Sequence, residues 1–296
     1  MMQKFAAYIK LARPHQYVKN GFVWLPIFFG NKLNDTEAIV RTFWAFVAFC
    51  LTASVVYVLN DLKDVQEDRQ HPAKKFRPIA SGALSRSEAI LFLIVLLIIS
   101  VSISSVTSNK SVLIILAVYL FLNFAYSFKL KHISIIDIIC ISTGFVLRVL
   151  GGGIAAKVWI SPWLIIMVFL LALFLALAKR RDDFLLVSSA HNPRKCIDSY
   201  NLEFVNLAMV AMAAVIIVSY ILYTVSPEVI DKHKTDKLYF TTLWVIIGLL
   251  RYMQITFVEQ KSGSPTLIVL KDLFMQVVII LWLLHYYLLL YVFRGT

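Results

Sequence analysis

The sequence contains little cysteine and little charge. Its three cysteines, Cys50, Cys140 and Cys196, show no C-x-x-C spacing, which argues against a disulfide framework and against a cysteine-based metal site. Charged residues make up only 16% of the 296 residues, whereas a soluble domain carries about 25%. Since 60% of the residues are hydrophobic, the composition argues against an ordinary soluble protein and indicates a membrane protein.

The sequence contains several long apolar runs. Several approach the ~20 residues that an α-helix needs to cross a bilayer. We therefore predict an all-α, polytopic membrane helical bundle in which residues 1–296 form a single domain. The nine predicted transmembrane helices lie near residues 17–30, 41–59, 84–106, 111–128, 135–156, 162–178, 203–225, 238–258 and 265–293. The glycines at 151–153 are expected to loosen the outer end of the fifth of these helices.

Positive charge exceeds negative charge, with 29 Lys and Arg against 17 Asp and Glu and a net charge of +12. The larger share of the cations lies in the N-terminal tail and in the loops after even-numbered helices, which the positive-inside rule assigns to the cytoplasm. Because such a charge also suits anionic lipid headgroups, we predict a protein of the plasma (inner) membrane with no nucleic-acid partner. Some of the cations could instead hold a phosphorylated substrate.

An acidic segment follows the second predicted helix directly. If that helix continues beyond the membrane, Asp61, Asp64 and Asp68 stand at i, i+3 and i+7 and share one side with the neighbouring Asn60. Like charges at this spacing repel, and Mg²⁺, which takes one or two carboxylates plus phosphate oxygens, would neutralise them. The pattern predicts a Mg²⁺ site with these four residues as ligands; a solvated, ion-paired helix end is the alternative.

The residues after the acids are basic. Pro72 should end the helix, so that Lys74 and Arg77 lie on a loop that can fold back over the acids. Cations beside metal-binding acids are the arrangement expected for a bound diphosphate. The alternative is that these are ordinary positive-inside residues.

Other polar residues stand at predicted helix ends or inside a helix. An arginine within the membrane, such as Arg148, costs at least ~2.5 kcal/mol unless it faces a partner or a cavity, so we expect either an acid on another helix or a substrate. Lys179, Arg180 and Arg181 end the sixth helix, either as ordinary C-terminal cations or as a phosphate clamp. Lys19 and Tyr126 are further candidates for phosphate contact, Tyr126 equally being an interfacial aromatic.

The acidic segment has a family resemblance. Asn60-Asp61-x-x-Asp64-x-x-x-Asp68 resembles the first aspartate-rich motif of the UbiA-type intramembrane prenyltransferase superfamily, nine-helix bundles that bind a prenyl diphosphate through Mg²⁺. The longer stretch NDLKDVQEDRQHPAKKFRPIASG is similar to one branch, the decaprenyl-phosphate phosphoribosyltransferases. Three more stretches are similar to that branch: RPHQYVKN at 13–20, YSFKLKHISIIDIICISTGFVLRVLGGG at 126–153 and LALAKRRDDF at 175–184. The resemblance covers the first six helices well and is thin beyond them.

The chain departs from the superfamily at the second motif. Typical members carry paired acids there, whereas here Asp137 stands alone behind Lys129, Lys131 and His132. One acid among several cations suits phosphate contact better than a second metal. This departure favours the phosphoribosyltransferase branch.

That branch implies a reaction. Phosphoribosyl diphosphate donates 5-phosphoribosyl to a polyprenyl phosphate lipid, with Mg²⁺ on the diphosphate. The implied catalytic residues are Asp61, Asp64, Asp68 and Asp137, and the implied substrate-binding residues are Lys19, Asn60, Lys74, Arg77, Tyr126, Lys131, Arg148, Lys179, Arg180 and Arg181. Two alternatives remain open: a prenyltransferase acting on an aromatic acceptor, and a transporter or lipid-binding scaffold. Association into a homo-oligomer is possible.

Overall fold

The computed structural model describes residues 2–72, 74–106, 110–187, 200–260 and 265–293. Within these ranges the chain is helical and contains no strand, so the predicted all-α class is confirmed. Eight helices in the described ranges are long and apolar enough to cross a membrane, which makes this a multi-pass membrane protein. Cys196 and the basic residues Arg194, Lys195, Lys261 and Arg294 lie outside the described residues.

Thirteen α-helices occur in the described ranges: α1 Met2–Ala12, α2 Leu25–Phe29, α3 Thr36–Lys63, α4 Val65–Gln70, α5 Arg86–Val106, α6 Lys110–Phe128, α7 Ile136–Ala156, α8 Pro162–Val187, α9 Leu202–Val225, α10 Pro227–His233, α11 Thr242–Phe257, α12 Pro265–Lys271 and α13 Leu273–Tyr287. Short 3₁₀ helices cover Pro14–Trp24, Lys74–Phe76, Leu130–His132 and Lys237–Thr241, and one π-helical turn covers Leu288–Val292.

The first predicted transmembrane helix, at 17–30, is not formed as such. This segment is a 3₁₀ helix over Pro14–Trp24 followed by the five-residue α2, which carries Pro26 in its first turn. Proline lacks the N–H that a continuous helix needs, which hydropathy alone does not register. The count of nine membrane helices is therefore not confirmed.

The last predicted helix, at 265–293, is interrupted. Asp272 adopts an extended conformation between α12 and α13, and its carboxylate accepts a hydrogen bond from the backbone N–H of Met275 at 2.8 Å. An aspartate in this position caps the N-terminus of the helix that follows. The break is therefore a helix cap at residue 272.

The chain divides into two compact units. Unit 1 comprises Met1–Lys129 and Gly144–Ile160, and unit 2 comprises Leu130–Thr143 and Ser161–Thr296, so that α7 contributes to both. The core of unit 1 packs residues such as Phe49 and Leu116, and that of unit 2 packs residues such as Phe174 and Met209. The prediction of a single domain stays a prediction.

Large apolar side chains cover the outer faces of the membrane helices. In unit 1, Leu91 and Ile98 of α5 and Ile114 and Phe121 of α6 are each at least 60% exposed. Such a surface would promote aggregation in water, whereas in a bilayer it contacts the acyl chains of the lipids. This distribution is what a membrane-embedded unit requires.

The glycines at 151–153 do not loosen α7, which remains helical to Ala156. They allow close packing instead. A Cβ on Gly152 would collide with the backbone carbonyl of Val23, and one on Gly151 would collide with the ring of Phe49. The 3₁₀ segment therefore rests directly on the backbone of α7.

Substitution of Gly152 should therefore destabilise the protein. We expect Gly152→Ala to cost about 1–3 kcal/mol, because the carbonyl it meets belongs to backbone and cannot rotate away. Gly21→Ala is the matched control, since a Cβ there meets nothing within 4 Å. Thermal unfolding in detergent measures both; equal midpoints for the two variants would contradict the packing described here.

Candidate active site

The acidic segment lies at a break between two helices. α3 ends at Lys63, Asp64 stands at the junction with φ −91° and ψ 15°, and α4 begins at Val65. The helix that carries the acids is therefore interrupted at Asp64. Backbone hydrogen bonds from Asp64 N to Asn60 O (2.9 Å) and from Asp68 N to Asp64 O (2.8 Å) nevertheless carry the helical turn across the break. Helical spacing of the acids is thus largely preserved.

Arg77 joins two of the acids. Its Nη1 donates to Asp61 Oδ1 at 3.1 Å and to Asp68 Oδ2 at 2.7 Å. Both carboxylates are 2% exposed. Because α4 ends at Gln70, before Pro72, the loop beyond it turns back over the acids, as the sequence predicted.

Arg13 is a second cation at this cluster, and sequence reasoning did not single it out. Its Nη2 donates to Asp61 Oδ1 at 2.5 Å, and its guanidinium lies 5.1 Å from the ring centroid of Tyr57. Arg13 adopts a left-handed conformation (φ 55°) at the start of the 3₁₀ helix, which turns the chain just before Pro14. Burial lowers the pKa of Arg13, and the Asp61 carboxylate opposes that effect.

The donor set suits a hard cation that brings other ligands with it. Asp61 Oδ2 is buried and has no hydrogen-bond partner among the described residues, while Asn60 and Asp64 are half-buried. No group of three His, Cys, Asp or Glu residues that could hold a metal by itself occurs in the described ranges. Mg²⁺ usually takes only one or two carboxylates and completes its shell with water and substrate phosphates, so these residues fit Mg²⁺.

Arg148 lies elsewhere in unit 1 and is bonded to neutral groups. Its Nε donates to Asn20 Oδ1 (2.7 Å), its Nη1 to Gly144 O (2.7 Å) and its Nη2 to Tyr119 OH (2.8 Å). No carboxylate pairs with it in the part of the chain that the structure describes, contrary to one of the two expectations. Arg148 thereby fixes the 3₁₀ helix that carries Asn20 and begins beside Arg13.

Three other predicted contacts in unit 1 are partly buried: Lys19, Lys74 and Tyr126. Lys19 lies on the 3₁₀ helix at Pro14–Trp24, and Lys74 opens the short 3₁₀ helix that precedes Arg77. The backbone N–H of Lys74 also donates to His71 Nδ1 at 3.3 Å. Their roles as substrate ligands stay predictions.

A second charged cluster lies in unit 2. Asp137 is completely buried, and its two carboxylate oxygens accept from Arg180 Nε and from the Tyr200 hydroxyl (2.8 Å). Arg180, which is 1% exposed, also donates from Nη1 to Asp183 Oδ2 at 2.5 Å. Burial raises the pKa of Tyr200 to about 12, so this phenol keeps its proton near neutral pH and remains a donor. Asp137 therefore orients an arginine.

The other two members of the predicted clamp differ in their surroundings. Arg181 is buried and donates to Asn206 Oδ1 (2.9 Å) and to Thr256 O (2.6 Å), so it links α8 to α9 and α11. Lys179 and Lys131 are partly buried. The phosphate-binding roles predicted for these cations remain untested, and the contacts of Arg180 and Arg181 establish a structural role within unit 2.

Breaking the Asp137–Arg180 pair should destabilise unit 2 strongly. We expect Arg180→Gln to cost on the order of 3–5 kcal/mol, because it leaves a buried carboxylate without its cation. The double variant Asp137→Asn/Arg180→Gln should lose less than the sum of the single variants. Chemical unfolding in mixed micelles measures these differences, with Lys179→Gln as the control; additive losses would contradict a coupled pair.

Comparisons with known proteins agree with this picture. The sequence matches the UbiA prenyltransferase family over residues 23–186, more than half of the chain. The protein named decaprenyl-phosphate phosphoribosyltransferase from Corynebacterium glutamicum is 32% identical over 281 residues, which are 93% of this chain and 83% of that protein. Its namesake from Mycolicibacterium smegmatis is 32% identical over 287 residues, covering 93% of this chain and 89% of that one.

Solved structures share the fold at low sequence identity. The structure of a UbiA homolog from Archaeoglobus fulgidus bound to DMAPP and Mg²⁺ superposes with a TM-score of 0.70 at 16% identity, covering 96% of this chain and 99% of that one. A digeranylgeranylglyceryl phosphate synthase superposes with a TM-score of 0.64 at 18% identity, covering 96% and 97%. These similarities extend over nearly the whole chain.

Proposed function

Because this chain belongs to the UbiA prenyltransferase family, we propose that it transfers 5-phosphoribosyl from phosphoribosyl diphosphate to a polyprenyl phosphate, releasing diphosphate. The observation that carries this proposal is the 32% identity to two decaprenyl-phosphate phosphoribosyltransferases over 93% of the chain. The cluster of Asp61, Asp68 and Arg77 supplies the chemistry that a diphosphate-bearing donor requires.

The acidic segment is proposed to hold the donor. Asn60, Asp61, Asp64 and Asp68 would hold Mg²⁺, which when bound neutralises charge that develops on the departing diphosphate. Arg77 and Arg13 already contact Asp61, so we assign them to the same phosphates. Their guanidinium groups suit phosphate oxygens because they present several N–H donors in a fixed plane.

The transfer itself is a substitution at C1 of the ribose. The bond between C1 and the diphosphate oxygen breaks, and an oxygen of the polyprenyl phosphate forms the new bond to C1 from the opposite face. A phosphate monoester is already anionic near pH 7, since its second pKa is about 6. The chain therefore needs no strong general base.

The remaining predicted residues are assigned to phosphate and ribose binding. In unit 1 these are Lys19, Lys74, Tyr126 and Arg148. In unit 2 we assign Lys131, Lys179, Arg180 and Arg181, with Asp137 holding Arg180 in place. We also propose that the N-terminus and the loops after even-numbered helices face the cytoplasm and that the protein resides in the plasma membrane.

The closest alternative is prenyl transfer to an aromatic acceptor. Family membership is compatible with it, but the sequence lacks the paired acids of that class near Asp137. No relative above supports the transporter interpretation, since the two phosphoribosyltransferases and the synthase are named as enzymes.

The identity of the donor distinguishes phosphoribosyl transfer from prenyl transfer. Purified protein with Mg²⁺ and a polyprenyl phosphate should move label from phosphoribosyl diphosphate into the organic phase. In a parallel reaction, a labelled prenyl diphosphate with an aromatic acid should yield no labelled product. Transfer in the second reaction alone would overturn the proposed donor.

A further inference from the structure

Unit 1 contains a cleft of about 560 Å³ that is separate from the acidic site. It is bounded by α1, the C-terminus of α3, α4 and the N-terminus of α5. Its apolar part consists of side chains such as Val65, Ile79 and Leu84, all buried in the core. From α4 it receives Gln66 and Arg69, whereas Asp68 of the same helix turns to Arg77.

The polar lining of this cleft is strongly cationic. Lys4, Arg69 and Arg86 reach it from three different helices, and Glu88 is the one carboxylate in the lining. Lys63 also lines the cleft, but its ammonium group is bonded outside it. That carboxylate is already engaged, because Lys4 Nζ donates to its Oε1 at 2.7 Å and Ser85 donates from its backbone N–H and its hydroxyl to Oε2 at 2.8 and 2.9 Å. The cleft therefore has excess positive charge.

The position of the cleft limits what can fill it. α3 ends at Lys63 and α5 begins at Arg86, so these cations lie at the ends of membrane helices, at the depth of lipid headgroups. Basic pockets between helices at this level attract phosphate-bearing headgroups, and an apolar floor suits the glycerol and acyl carbons attached to one.

We propose that this cleft is a second phosphate-binding site, distinct from the donor site and independent of the reaction proposed above. Its ligand is an anionic phosphate group, carried either by a phospholipid headgroup or by a soluble phosphate compound. Arg69 and Arg86 provide the electrostatic attraction, and Lys4 links α1 to the cleft through Glu88.

Binding to the purified full-length protein tests this site. The probes are short-chain phosphatidylglycerol, short-chain phosphatidylcholine and inorganic phosphate, each titrated at low ionic strength and followed by native mass spectrometry or thermal shift. The test variant is Arg69→Gln/Arg86→Gln. The matched control, Lys75→Gln/Lys110→Gln, also removes two exposed cations from unit 1 but none from the cleft lining.

We expect the cleft variant to weaken phosphatidylglycerol binding on the order of tenfold, the control to change it less than about twofold, and phosphatidylcholine to bind weakly throughout. Competition by inorganic phosphate at comparable concentrations identifies a soluble ligand, and its failure identifies a lipid. Equal losses in both variants, or none in either, would overturn the proposal. Arg86→Gln alone, at an exposed first helical position, repeats the test if the double variant misfolds.

Discussion

Asp64→Asn should lower phosphoribosyl transfer by about 100- to 1000-fold while leaving the fold intact. The proposed reaction relies on charge neutralisation at the leaving diphosphate, and removing one electrostatic stabiliser of this kind typically costs that much in turnover. Asp64 is half-buried at the junction of α3 and α4. Asparagine has the same shape and tolerates the same backbone conformation, so unfolding should not account for the loss.

Glu67→Gln is the matched control for this substitution. Glu67 is an exposed acid on α4, three residues beyond Asp64, so the change removes the same charge from the same segment. The control should retain most of its turnover. Initial rates at saturating Mg²⁺ and donor measure the turnover of both variants. Near-normal turnover in Asp64→Asn would contradict a role of the acidic segment in the reaction.

The second large effect is expected at Arg77. Arg77→Gln leaves Asp61 and Asp68 buried without the guanidinium Nη1 that both carboxylates share, and breaking a buried ion pair costs on the order of 3 kcal/mol or more. Turnover should fall about 100-fold as well, since the same group is proposed to contact the diphosphate.

Arg77→Lys separates charge from geometry at this position. A lysine keeps the positive charge but lacks the planar set of donors with which arginine can serve two acceptors. We expect its stability and its turnover to lie between those of the wild type and Arg77→Gln. Thermal unfolding and initial rates provide both values, with Lys75→Gln as the control on the same loop; a wild-type result for Arg77→Gln would contradict the bridging role.

The helical spacing of the acids could be predicted because its information is local. Asp61, Asp64 and Asp68 follow the repeat of one helix, and Pro72 determines where that helix must end. The acids keep their helical spacing across the break at Asp64, because the backbone hydrogen bonds of Asp64 and Asp68 preserve the turn. The same segment also predicts that the loop carrying Arg77 folds back over the acids.

Residues that reach the site from a distance could not be predicted in this way. Arg13 lies 48 positions from Asp61, and no spacing rule joins the two. Tyr200, which lies 63 positions from Asp137, completes the Asp137–Arg180 cluster through tertiary packing. Hydropathy likewise predicted one continuous helix at 17–30, because it counts apolar side chains and does not register the missing N–H group of Pro26.

The most direct test of the central claim is the affinity of the purified protein for phosphoribosyl diphosphate, measured by calorimetry with Mg²⁺, with excess EDTA and again after Mg²⁺ is restored. We predict that chelation weakens binding at least tenfold, that Mg²⁺ restores it, and that Asp64→Asn responds little to the metal. Binding of equal strength in all three conditions, or a full Mg²⁺ response in Asp64→Asn, would contradict a metal-held diphosphate at this acidic segment.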